Sequence, residues 1–569
     1  MMGCMIQAWS ADDVRAAEEP LLTAGVALMR QAAFALAVIV RRDLARRRAV
    51  AGPDGELRDG SVRGARVALL VGAGNNGGDA LHAGAFLARR GLAVTAYLAA
   101  PRVHEGGLAA LLAAGGRAVT VDATPTAGPA GDSATSVPEA ATAAAGADVI
   151  VDGLLGIGAR GPMRGTGATL VEALAAALAD APSDGSNDGR NDGPHAVEAP
   201  PRRAHASASA AATRPWVVAV DAPSGIGIDD GTLPGPVLPA DRTVTFGAAK
   251  PGLLLPPATH VTGAGAVIDI GLELPPPGRP GQAPAVVRLQ DADVVWPVPG
   301  PHDHKYTRGV VGVVAGTATY PGAALLTASA AVQAGAGMVR YQGPADVGRA
   351  VVAARPEVVT AGGRVQAWVL GSGLPATGGD DGQRGRARAA LAAASGRLAG
   401  AQEPVPAVVD AGALGLLDHT CPAWVVLTPH AGELAALLVA RGEAVDRAHV
   451  EAEPLRWARR AHEATGATVL LKGGASVVVG PGVVYAQADA PGWLATAGAG
   501  DVLAGLLGAM LAARAPEIVT HPERAAQVAA AAALVHGRAA ERANPGGPIT
   551  ALAVADAIPG AVAALLAQR

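Results

Sequence analysis

Short apolar runs that end in Gly or Asp, separated by Ala-rich stretches, recur along this chain and constrain its fold more than any other feature. RVALLVG (66–72), AVTAYLAA, ADVIVDGLLG and PWVVAVDAPSG are runs of this kind. A strand with no polar alternation is apolar on both sides, so helices must cover both faces of its sheet. Alternation with helical stretches such as ALHAGAFLARRG predicts a parallel sheet in a layered α/β fold. A second series follows: GVVGVVAG, QAWVLGSG, PAVVDAG, AWVVLTPH and TVLLKGG, with GAALLTASAAVQAGAG and AAQVAAAAALVHGRAAERA as helices between or after them. The chain has 569 residues, enough for more than one core at roughly 100–200 residues per domain. No short-period tandem repeat is visible.

Two stretches interrupt the pattern. Residues 181–215 are rich in Ser, Asp, Gly, Pro and Ala without apolar periodicity, which predicts a disordered surface insertion. LPPPGRPGQAP (274–284) reads as a stiff Pro/Gly linker. The expected division is a first domain over 8–272, a linker over 273–284 and a second domain over 285–567.

Composition narrows the class. A net charge of −4 is too small to imply a nucleic-acid or membrane partner. Cys4 and Cys421 cannot make a disulfide framework. The start of the chain lacks the basic and apolar regions of a secretory signal. AAFALAVIV is too short to span a bilayer and runs into RRDLARRR, so it is expected to be a buried amphipathic helix. A soluble cytoplasmic protein is the expectation. The bias toward Arg leaves only Lys250, Lys305 and Lys472. A lysine kept against such a bias is a candidate for work that arginine cannot do, because the two differ in geometry, hydration and ability to shift pKa.

In the first half, GAGNNGGD (72–79) follows a strand and precedes a helix. Its glycines permit close approach to a ligand, and helix-start amides favour an anion. Asn75, Asn76 and Asp79 crowd the turn, unlike a dinucleotide Gly loop. Asp152 and Asp221 each end a strand, and Ser224 follows in DAPSG. As turn-capping groups these would be unremarkable; together, Asn76, Asp152 and Ser224 supply oxygen ligands suited to a hard cation.

GNNGGD, VDGLLGIGARGP, DAPSG and FGAAKPG, in this order, resemble the NAD(P)H-hydrate epimerase family over about residues 8–272. The resemblance implies a Rossmann-like three-layer α/β/α domain. It implies K+ on Asn76, Asp152 and Ser224. Substrate contact is implied for Asn75, Asn76, Gly77, Gly78, Asp79, the loop Gly156, Ile157, Gly158, Ala159, Arg160, Gly161, Pro162, and Asp221. Asp221 is the expected acid–base residue, because epimerisation at an aminal carbon needs proton transfer or ring opening. Lys250, in FGAAKPG, is a candidate pocket residue. Ala80, Gly153 and Leu155 depart from the family's usual Gly, Ala and Phe, which bears on substrate fit.

In the second half, ATAGAGDVLAGLLGAM (495–510) joins a Gly-rich turn to an apolar helix with Asp501 in its first turn. The turn amides can neutralise a phosphate while Asp501 activates a hydroxyl. This resembles the anion hole and base of ribokinase-like kinases. HKYTRG, YPGAALL, LGSGL, LTPHAGE and LKGGAS complete a resemblance to ADP- or ATP-dependent NAD(P)H-hydrate dehydratases over about 285–567. It implies a ribokinase-like α/β domain in which Lys472, Gly473, Gly474, Ala475, Ser476 and Gly500 bind ADP or ATP. Ala323, Gly373, His430 and Asp501 would contact the hydrated nicotinamide nucleotide, NADHX or NADPHX, with Asp501 as base and Mg2+ accompanying the phosphates. Gly412 and Ala499 depart from the usual Asp and Ser or Thr. The full reading is a homo-oligomeric repair enzyme that epimerises and then dehydrates. The alternative is a ribokinase-like small-molecule kinase fused to a non-catalytic Rossmann-like module.

Overall fold

The computed structural model describes residues 5–51, 56–122, 134–179, 214–275, 283–375, 379–397 and 403–568. Residues 181–213 of the expected insertion and the centre of the linker lie outside these residues; Arg214, at the insertion's end, pairs with Asp241.

The first half is built on an eight-stranded sheet among the described residues, in the order Ala264–Ile268, Arg242–Phe246, Trp216–Val220, Val149–Gly153, Arg66–Val71, Ala93–Leu98, Arg117–Asp122 and Ala134–Ser136. Every neighbouring pair is parallel. The strand Arg66–Val71 is buried from its second residue onward, as an apolar run covered on both faces must be. Helices Leu28–Arg47 and Asn75–Ala88 pack on one face through Leu36, Val40, Leu81 and Leu87. Val137–Ala145 and Gly165–Ala179 cover the other through Ala140, Leu170 and Leu174. AAFALAVIV thus lies in a helix, as expected, buried through Ala32, Ala33, Leu36, Ala37, Ile39 and Val40 while Phe34 and Val38 stay exposed. Among the described residues no single helix is long and apolar enough to cross a membrane; the bent pair Ala11–Thr23 and Leu28–Arg47 reaches that length and composition only together.

The second half centres on the parallel strands Val358–Val359, Met338–Tyr341, Val310–Val314, Ala367–Leu370, Ala407–Val409, Val425–Leu427 and Thr468–Leu471. The sheet continues beyond these with antiparallel strands. Ser476–Gly480 pairs antiparallel with Thr468–Leu471, and Val483–Gln487 pairs antiparallel with Ser476–Gly480. Pro481 and Gly482 form the tight connection, Gly482 at φ 70°, which is the turn chemistry that folds a run back on itself. Helix Ala499–Ala512 is buried along nearly its whole length. A Cβ on its Gly505 would stand 2.1 Å from the Thr327 carbonyl oxygen, and one on Gly508 2.2 Å from Val369. Small residues therefore let this helix sink between sheet and neighbouring helix.

The two halves are stitched by the chain's beginning. Ile6–Ala8 pairs antiparallel with Val286–Arg288 at the edge of the second sheet. Ala8 also bridges to Ala249, and Trp9 N donates to the Ala249 carbonyl at 2.9 Å. A boundary at 273–284 does not anticipate this crossing, because three residues carry too little periodicity to signal a strand.

Candidate active sites

Asn75–Asp79 are not a loop before the helix but its first turn, since the helix runs Asn75–Ala88. The glycines explain how. A Cβ on Gly77 would lie 2.3 Å from the Gly72 carbonyl oxygen, and one on Gly78 3.0 Å from His104 and Met29. The turn is thereby pressed against the end of its own strand. Asn75 is exposed; Asn76, Gly77, Gly78 and Asp79 are buried.

Asn76 donates from Nδ2 to the Leu155 carbonyl (2.9 Å) and the Val220 carbonyl (2.6 Å). Asp152 is fully buried. Its carboxylate accepts from Ser224 Oγ (2.6 Å) and Ser224 N (2.8 Å), and Ser224 Oγ accepts from Leu155 N (2.9 Å). Burial raises the Asp152 pKa and these hydrogen bonds oppose it. A Cβ on Gly156 would meet Asn76 Oδ1 at 2.6 Å, so the start of the Gly156–Pro162 loop is seated on the amide. Asn76, Asp152 and Ser224 thus come together at three adjacent strand ends. Beyond Gly156, Ile157 and Ala159 are half-buried, while Gly158, Arg160, Gly161 and Pro162 are exposed. The loop lies along helix Ala11–Thr23, whose Arg15 donates to the Ile157 carbonyl at 3.4 Å.

Asp221 follows strand Trp216–Val220 with φ 64°, a conformation uncommon for a residue other than Gly but tolerated by Asp. Its Oδ1 accepts from Lys250 Nζ (2.5 Å), Thr245 Oγ1 (2.9 Å) and Phe246 N (3.2 Å). Lys250 is 1% exposed and also donates to Thr245 Oγ1 and the Phe246 carbonyl, each at 2.9 Å. Asp79 Oδ1 is buried without a hydrogen-bond partner. Burial, with the nearby charges of Asp221 and Glu18, holds the Asp79 carboxyl well above its usual range. Glu18, also raised chiefly by burial, was missed in the sequence because it sits in an amphipathic helix without a motif.

In the second half, Gly498 (φ 88°) turns the chain into helix Ala499–Ala512. Lys472 Nζ lies over that turn: a Cβ on Gly500 would stand 3.2 Å from it. The ammonium donates to Asp410 Oδ1 (2.7 Å) and lies 3.9 Å from Glu433. Asp410, buried, also accepts from Ser372 Oγ (3.2 Å) and Thr428 Oγ1 (2.9 Å). Asp410 closes the apolar run of PAVVDAG in the sequence, where nothing local links it with Lys472, 62 positions away. Burial and the Asp410 charge push Asp501 up to about 6, although Lys472 opposes them. His430 is exposed and caps helix Ala431–Val439, its Nδ1 accepting from Gly432 N and Glu433 N. It bridges to Lys472 across neighbouring strand ends. Gly373 and Ala323 touch, since a Cβ on Gly373 would lie 2.5 Å from that of Ala323.

A cavity of about 1790 Å³ opens between the halves. Lys472, Gly473, Gly474, Ala475, Ser476, Gly500 and His430 line it from the second half. Trp216, at the start of the strand that leads to Asp221, lines it from the first. Five strand residues span about 16 Å at ~3.3 Å each. The Asp221 cluster therefore lies at the far ends of the strands whose near ends face the cavity.

Two protein families match the chain: the YjeF-related protein N-terminus over residues 25–252 and NAD(P)H-hydrate dehydratase over residues 311–559. The chain is similar to the bifunctional NAD(P)H-hydrate repair enzyme Nnr of Mycobacterium tuberculosis, 39% identical over 526 residues and covering 89% of each chain. The enzyme of the same name in Mycobacterium leprae is 39% identical over 560 residues, covering 95% of this chain and 94% of that one. An NAD(P)H-hydrate epimerase of Clavibacter michiganensis is 39% identical over 269 residues, covering 47% of this chain and 91% of its own length.

Proposed function

The chain belongs to the bifunctional NAD(P)H-hydrate repair enzymes, and from that premise we propose how its two sites divide the work. The first half interconverts the R and S forms of hydrated NAD(P)H. The second half dehydrates the S form, using ADP or ATP. Similarity across both halves removes the ground for the kinase alternative.

In the first half, Asp79 and Asp221 form the acid–base pair. Burial raises the Asp79 carboxyl well above its usual range, which favours its neutral form, and its Oδ1 has no hydrogen-bond partner; Asp221 is tied to the Lys250 ammonium. Two carboxyl groups in contrasting surroundings suit opposite proton-transfer roles. A proton from Asp79 assists departure of the C6 oxygen or opening of the ring, and Asp221 takes up the proton released when the group returns on the other face. Asn75 to Asp79 and the Gly156–Pro162 loop hold the substrate.

The oxygens of Asn76, Asp152 and Ser224 fit K+. Asp152 is a fully buried carboxylate, and no cationic side chain pairs with it among the described residues. One carboxylate among neutral oxygens suits a hard, singly charged cation. When bound, K+ supplies fixed positive charge beneath the substrate loop.

In the second half, the hydroxyl at C6 of the ring attacks the terminal phosphorus of ADP or ATP. Asp501 takes the hydroxyl proton, and AMP or ADP leaves. Hydroxide is a poor leaving group, but the phosphate ester departs with the C–O electron pair while the ring nitrogen pushes. Loss of the C5 proton then restores the dihydropyridine. The observation that carries this reading is Lys472: a compact ammonium held by Asp410 over the amide turn that begins Asp501's helix. It neutralises phosphate without relocating as charge develops. Gly473, Gly474, Ala475 and Ser476 cradle the nucleotide with Gly500, while Ala323, Gly373 and His430 contact the hydrate. Asp410 is already bonded to Lys472, Ser372 and Thr428. Mg2+, which keeps much of its water shell, would therefore be held mainly by the nucleotide's own phosphates, whose charge it offsets.

ADP is the proposed donor, and the enzyme is proposed to work in the cytoplasm as a homo-oligomer, which light scattering reads directly. Phosphorus NMR of the reaction with (S)-NADHX and ADP tests the chemistry. Equal release of AMP and free phosphate is expected; a stable phosphoester would contradict it.

A further inference from the structure

The cavity between the halves has one wall that the dehydratase half does not make. His260, on the turn Ala258–Val261 of the first half, faces the loop that carries Lys472: a Cβ on Gly474 would lie 3.0 Å from His260 Cε1 and 3.3 Å from its Nε2. The turn is fixed by a dedicated anchor. Arg288, 3% exposed, donates to the Leu254 carbonyl (2.8 Å) and Thr259 Oγ1 (3.3 Å) in the first half. The same guanidinium donates to the Ala486 carbonyl (3.1 Å) in the second. His536, which also lines the cavity, is 5% exposed and its Nε2 has no hydrogen-bond partner. An unpartnered buried polar atom at a cavity wall costs free energy unless a ligand or water satisfies it.

We propose that His260 of the epimerase half completes the dehydratase's nucleotide pocket by packing against the adenine base of ADP or ATP. This rests on the reading of Lys472–Ser476 as the nucleotide loop. The phosphates belong at the ammonium of Lys472 and the turn Gly498–Gly500, so the nucleoside extends from there past Gly474. A flat imidazole suits a base better than a phosphate. Burial and the Arg288 charge lower the His260 pKa, keeping the ring neutral at physiological pH, as a stacking partner for adenine should be. His536, lowered to about 4 by burial, is likewise neutral and offers its free nitrogen to the same nucleoside. Fusion of the two halves then has a physical consequence: one domain supplies part of the other's co-substrate site.

The test is calorimetric titration of the full-length protein with ADP and, separately, with inorganic pyrophosphate, alongside dehydratase kinetics. His260→Ala should weaken ADP binding about fivefold or more, the lower end for losing one base–aromatic contact. KM for ADP should rise to match while kcat is kept. Pyrophosphate affinity should not change. His260→Phe should restore ADP binding. ADP affinity unaltered in His260→Ala would overturn the proposal, as would equal losses for ADP and pyrophosphate. Failure of the wild-type protein to bind ADP at all would instead overturn the nucleotide-loop reading beneath it.

Discussion

At the scale of single residues, the scarcity of lysine was informative. Lys250 and Lys472 each sit in an ion pair with an aspartate that follows a strand, whereas Lys305 lies exposed beside the Tyr306 ring. Composition could single out all three but could not separate them, because the partners Asp221 and Asp410 are 29 and 62 positions away. Asp501 gives a pH signature. With its carboxyl near 6, dehydratase kcat/KM should fall as pH drops through that value, since a protonated base cannot accept the hydroxyl proton. Asp501→Asn should lose roughly 10²–10⁴ of the rate and should abolish that acid limb. Initial rates from pH 5 to 8 check both. Removing Lys250 has a different effect. Lys250→Met leaves Asp221 buried without its counter-charge, which should cost about 3–5 kcal/mol. Denaturant unfolding reads that loss, and epimerisation should fail together with it.

At the scale of elements, the long apolar strands and Ala-rich helices were legible because each covers several periods of its pattern. The edges were not. The antiparallel return at Pro481–Gly482 resembles any other apolar run until its pairing is known, and Ile6–Ala8 is too short to announce itself. The Asn75–Asp79 segment was expected as a loop because two consecutive glycines disfavour a helix interior; close contact of Gly77 with Gly72 outweighs that preference. Gly77→Ala should therefore destabilise the protein rather than improve its helix, and should impair epimerisation by displacing Asn76 and Asp79. Thermal unfolding and an epimerase assay check it. Gly500→Ala tests the corresponding turn in the second half. Its Cβ would crowd Lys472 at 3.2 Å, so KM for ADP should rise several-fold, about the 1–2 kcal/mol of one weakened charged hydrogen bond.

At the scale of the whole molecule, the two-domain α/β plan could be read from the sequence, but the contact between domains could not. Nothing local marks Arg288 as the residue that joins Leu254, Thr259 and Ala486, because its partners belong to distant segments. The same architecture puts the Asp221 cluster at the strand ends away from the intervening cavity. With epimerisation at the Asp221 cluster, as proposed, the hydrate would leave that site before it is dehydrated at the other. A mixture of Asp221→Asn and Asp501→Asn proteins should accordingly repair racemic substrate as far as the wild type does, which end-point absorbance reads. The most direct test of the division of labour follows dihydronicotinamide absorbance with racemic NADHX, ADP, Mg2+ and K+. Wild type should recover NADH completely, Asp221→Asn should halt at about half after one epimer is consumed, and Asp501→Asn should recover NADH roughly 10²–10⁴ times more slowly than wild type. Complete recovery at the wild-type rate by Asp221→Asn, or recovery at close to the wild-type rate by Asp501→Asn, would contradict the assignment of the two sites.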